Sequence, residues 1–110
     1  MSINFEYPND YLSLINDLEY LEISSNSGYI ELFPLNKLGE MNKEYETDEY
    51  TPNFIAIGTN GSGVGIFINK ENKQIYSIPF VGMDESDAVL LAISFSKFLY
   101  LFENDELEIY

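Results

Sequence analysis

The chain has 110 residues, 45% of them hydrophobic, including nine Tyr and eight Phe, which is enough for one domain with one core and too apolar for disorder. It holds no cysteine and no histidine, and its five basic residues are all lysine; disulfides, the usual zinc ligand sets, Cys-His catalysis and bidentate arginine clamps are thereby excluded. Nineteen acidic residues bring the net charge to −14, a field that repels nucleic acid and anionic membranes and attracts a basic protein.

Met1 to Tyr11 is polar, acidic and aromatic, not basic and then apolar, so no secretory leader is expected and the chain reads as cytoplasmic. Asn9 or Asp10 is placed to cap a first helix, along which Tyr11, Leu12, Leu14, Ile15 and Leu18 recur at helical spacing. Tyr20 to Ile23 and Tyr29 to Phe33 alternate apolar and polar residues around Ser24-Ser25-Asn26-Ser27-Gly28, which predicts a hairpin. Pro34 closes its second strand, because proline cannot donate to a ladder. Leu35, Leu38, Met41 and Tyr45 predict a short helix with Glu40, Glu44 and Glu46 on its wet side, and Thr47 to Pro52 is acidic and turn-like.

Phe54 to Gly58, Val64 to Asn69 and Gln74 to Phe80 predict three strands. The turns between them, Thr59-Asn60-Gly61-Ser62-Gly63 and Lys70-Glu71-Asn72-Lys73, are short, so the strands form an antiparallel meander. Asp84-Glu85-Ser86-Asp87 offers a cap and negative charge for a last helix over Ala88 to Glu103, apolar on nearly every side and expected to pack across the sheet. Tyr100 and Phe102 are assigned to the core in preference to a dimer contact. The tail from Asn104 to Tyr110 is acidic and receives no element.

Motifs that suggest chemistry are weak. Gly61-Ser62-Gly63-Val64-Gly65 is glycine-rich, but the next element reads as a strand, whereas phosphate loops open helices. Ser94-Phe95-Ser96-Lys97 matches a Ser-x-x-Lys pattern without its companion motifs. Asp84, Glu85 and Asp87 lack the alternating spacing of a calcium loop, and capping explains them. No catalytic residue, metal or cofactor is expected.

Four stretches in order resemble the SUKH superfamily, which includes bacterial immunity proteins and fungal regulators of cell-wall synthesis. They are Tyr11-Leu12-Ser13-Leu14-Ile15-Asn16; Tyr29 to Leu35 continued by Leu38, Glu40, Asn42 and Tyr45; Phe54 to Gly58 through Gly61, Gly63 and Ile66-Phe67-Ile68; and Ile93 to Leu99. The resemblance runs from about Pro8 to Glu103 and departs at Asn16-Asp17, where relatives often show Asn-Gly. It implies an α+β fold, with a central, mostly antiparallel sheet of five or six strands and helices packed against it, in a single domain over residues 1–110. It also implies toxin neutralisation by binding, with no family catalytic residue to carry over.

The expected function is therefore an immunity protein that occludes a cognate toxin, a basic nuclease-type protein, with an acidic face. Glu40, Glu44, Glu46, Asp48 and Glu49 would mimic phosphates, and exposed Tyr45 and Tyr50 would supply contact area. The partner is a protein, not nucleic acid or membrane, and the chain itself is a monomer or homodimer. The alternative is an intracellular regulatory or scaffold module without a toxin partner.

Overall fold

The computed structural model describes residues 5–17, 21–26, 28–107 and 109. Met1, Leu18, Tyr20, Ser27 and Tyr110, named above, lie outside these described residues. Six strands form one sheet in chain order: β1 (Glu22–Ser25), β2 (Gly28–Leu32), β3 (Phe54–Thr59), β4 (Val64–Asn69), β5 (Ile75–Pro79) and β6 (Val89–Ala92). Every neighbouring pair is antiparallel. The hairpin and the three-strand meander expected from the sequence are thus parts of one continuous sheet. Helices α1 (Asn9–Asp17), α2 (Leu38–Glu44), α3 (Thr47–Tyr50) and α4 (Phe95–Glu103) complete an α+β fold. No described helix is long and apolar enough to cross a membrane.

Asparagine side chains build both central turns. Asn60 Oδ1 accepts from the Ser62 and Val64 N–H groups at 2.8 and 3.1 Å, and Asn69 Oδ1 accepts from Glu71 and Asn72 at 2.8 and 3.0 Å. Each is a local side-chain turn that holds two strands in register.

The sheet is covered on both faces, since Ile66, Phe67 and Ile68 are all fully buried although strand alternation points them to opposite sides. On the Phe67 face, ring contacts run from Phe33 through Tyr45 and Phe80 to Phe67 and Phe54. A separate series, Tyr7, Tyr11, Phe95, Phe98 and Phe102, ties α1 to α4. Gly65 lies beneath the first series. A Cβ there would stand 2.5 Å from Phe67 Cε1 and 2.6 Å from Phe80 Cζ. Gly65→Ala is therefore expected to cost about 1–3 kcal/mol through overpacking, despite alanine's better strand propensity, as a lowered urea midpoint would show.

The single helix expected over Ala88 to Glu103 is instead a strand, a bend and a helix. Val89–Ala92 pairs with β5, placing Ser77 opposite Val89 and Ile75 opposite Ala92. Ser94 Oγ then accepts from the Lys97 N–H at 3.1 Å, so α4 begins at Phe95 with a serine cap. Asp84 caps only one 3-10 turn, Glu85–Asp87, and its bond from the Ser86 N–H holds its carboxyl below the ordinary value. On α4 the residues Phe95, Phe98, Leu99 and Phe102 are buried while Tyr100 is exposed, so the helix is one-sided.

Asp10 serves the start of α1 as expected, its Oδ1 accepting from the Tyr11 N–H at 2.8 Å, and it serves a second helix as well. Its carboxylate accepts from the Ser96 N–H at 2.9 Å, satisfying a free donor in the first turn of α4 and placing negative charge at that helix start. α1 and α4 are tied together by this bond as well as by their rings.

Candidate functional site

The α2–α3 corner is built where β2 gives out. β2 pairs with β3 only through Glu31–Thr59 and Leu32–Gly58, followed by the Phe33 N–H to Ile57 O at 2.8 Å. Pro34 then turns the chain away, and the Ala56 backbone has no strand partner on that edge. Asn42 of α2 takes its place. The Ala56 N–H donates to Asn42 Oδ1 at 2.8 Å, and Asn42 Nδ2 donates to Ala56 O at 3.0 Å. The same amide donates to Leu38 O at 2.8 Å and accepts from Thr47 Oγ1 at 2.9 Å. All four hydrogen-bonding positions of a buried side chain are filled.

Glu46, in the left-handed region at φ 57° and ψ 41°, reverses the chain out of α2. Its carbonyl accepts from the Glu49 and Tyr50 N–H groups, both at 3.1 Å. The stretch expected to be turn-like is consequently a single helical turn over Thr47–Tyr50, α3. Asn53 donates from its backbone and side chain to the Glu85 carboxylate at 2.8 and 3.0 Å. That pair fastens the exit of the corner to the loop after β5.

Between this corner and that loop lies an open cleft of about 580 Å³, lined by Glu44, Tyr45, Glu46, Tyr50, Phe80, Gly82 and Met83. A smaller depression of about 210 Å³ adjoins it across Glu46, lined by Asn42, Lys43, Asp48 and Glu49 as well. Of the seven residues expected at the partner surface, Glu44, Tyr45, Glu46 and Tyr50 meet in the cleft. Asp48 and Glu49 meet in the depression. Glu40 lies in neither, and pairs with Lys37 at 3.6 Å in an exposed bridge of little energetic weight. Phe80, Gly82 and Met83 were not anticipated, because they reach the cleft only through the turn after β5.

Tyr45 is a correction. It was expected to be exposed and is half-buried, its ring stacked on Phe80 at 4.1 Å and 5° with Phe33 beyond at 6.2 Å. Tyr50 is the open ring, 50% exposed. Burial raises the Tyr45 phenol above its ordinary value, and the nearby negative charges of Glu44 and Glu31 raise it further. Burial does the same to Tyr7 and Tyr11. A raised folded-state value means ionisation favours the unfolded chain, so this stability is complete below about pH 10 and lost as pH rises beyond it. With no histidine in the chain, the melting temperature is expected to fall on the alkaline side, and Tyr45→Phe should soften that fall. Melting curves across pH, read with tyrosinate absorbance, check both.

The cleft offers rings and a thioether as contact area and carboxylates as charge. Among the described residues, no three carboxylates converge to hold a metal ion, and neither Glu44 nor Glu46 forms an ion pair. Residues 2–101 match the SMI1 / KNR4 family (SUKH-1). The chain belongs to this family. No curated protein matches the sequence. The family match spans every element of the sheet and most of α4, and it includes every residue that lines the cleft.

Proposed function

We propose that this SUKH-1 protein is a cytoplasmic immunity protein that binds a cognate polymorphic toxin and covers its active surface, without catalysis of its own. The partner is a basic, nuclease-type toxin. One observation carries the reading: Glu44 and Glu46 border a concave aromatic cleft, with Asp48 and Glu49 in the depression that adjoins it, in a chain of net charge −14. Family membership supports it, since SUKH proteins act through other proteins. Carboxylates spaced along a helical corner present the charge a phosphate backbone presents, while Tyr45, Tyr50 and Phe80 supply the apolar area that holds a complex once formed.

Co-expression with the C-terminal toxin domain encoded beside this gene tests the reading, scored by growth and by co-purification. Rescue with a complex that dissociates in high salt is the expected result. Unrelieved toxicity in the presence of folded protein rejects the pair, and the absence of a neighbouring toxin gene favours a regulatory scaffold.

A further inference from the structure

The geometry points to one arginine side chain of the protein partner as the occupant of the 580 Å³ cleft, its stem against Met83 and Tyr50 and its guanidinium between Glu44 and Glu46. This rests on reading the α2–α3 corner as the partner surface, and adds what that surface grips.

The walls select the occupant. The ring of Tyr45 is stacked on Phe80 and half-buried, whereas the half-exposed ring of Tyr50 is the open aromatic surface. Glu44 ends α2 and Glu46 is the reversal that follows it, and among the described residues neither has a lysine partner. None of the seven lining residues is basic, so an anion meets only repulsion there. A metal ion would leave the rings and the thioether of Met83 unused. A planar, weakly hydrated cation on an apolar stem uses every wall, because guanidinium stacks on aromatic rings and forks onto carboxylates, whereas ammonium is a strongly hydrated point charge.

The test needs no toxin. The full chain is titrated with N-acetyl-arginine amide, its neutral citrulline counterpart and N-acetyl-lysine amide, followed by amide-resolved NMR. Arginine amide should shift Tyr45, Tyr50, Gly82 and Met83 saturably in the millimolar range expected of so small a ligand. Citrulline should leave them in place, and lysine should bind more weakly. Glu44→Gln with Glu46→Gln should weaken arginine binding roughly tenfold, as should Tyr50→Ala, with the remaining spectrum unchanged as proof of folding. Shifts spread evenly over the acidic surface, equal shifts with citrulline, lysine binding as tight as arginine, or no saturable shift would each overturn the assignment. Saturable arginine binding without toxin rescue would sink the immunity reading alone. Rescue without arginine binding would sink this one alone.

Discussion

Asn42→Leu is expected to destabilise the protein by about 3–5 kcal/mol, because several buried partners lose a bond at about 1–3 kcal/mol each. The Ala56 N–H and C=O lie on a stretch of β3 that β2 does not reach, and Asn42 completes them both. Leucine fills the space and satisfies neither, and it also leaves the Thr47 hydroxyl without its 2.9 Å acceptor. Total stability for a domain of this size is about 5–15 kcal/mol, so the variant should be partly unfolded in mild urea. Thr47→Val removes one partner only and should cost about 1–2 kcal/mol.

Asn42→Asp separates loss of shape from loss of donors. The introduced carboxylate still accepts from Ala56 and Thr47 but faces the Leu38 and Ala56 carbonyls with no hydrogen to offer. Burial and those carbonyls raise its folded value above the ordinary one. Stability relative to the parent is therefore greatest below the unfolded value, about pH 4, and is lost as pH rises. Urea unfolding at acid and neutral pH should show that recovery. A loss under about 1 kcal/mol for Asn42→Leu would mean that water replaces the amide and α2 is not held this way.

Local chemistry made the centre of the fold legible. Strands β3 to β5 announce themselves because their turns are solved within a few residues, by Asn60 and Asn69 side chains that bond the next N–H groups. The boundary between β6 and α4 was hidden for the opposite reason. Val89-Leu90-Leu91-Ala92 suits either state, and what decides it is the open edge of β5, contacted from well outside any local window. The visible sign was Ser94, a capping residue in the middle of an apolar run. Tyr45 was misjudged likewise, since its covering ring, Phe80, comes from the far end of the meander. An isolated asparagine on a short helix carries no mark of the ladder that Asn42 continues. The acidic corner was readable because its members lie within a few residues of one another in the sequence; the second wall of the cleft, at Gly82 and Met83, was not.

Reversing Glu44, Glu46, Asp48 and Glu49 to lysine is expected to slow association with a basic toxin roughly 100-fold at low salt. Each replacement changes the charge by two, so four take the net from −14 to −6. A comparison variant makes the same change at Glu71, Asp87, Glu103 and Glu106, which are also exposed. If the whole field steers the toxin, both variants should slow association alike. If the α2–α3 corner is the contact, the first should slow it much more and also speed dissociation, because Glu44 and Glu46 border the cleft itself. At an ionic strength where screening acts over about 3–8 Å, the long-range part fades and the difference in dissociation remains. Stopped-flow association at several salt concentrations separates the two contributions. Unchanged affinity and unchanged salt slope in the first variant would place the contact on another face of the sheet.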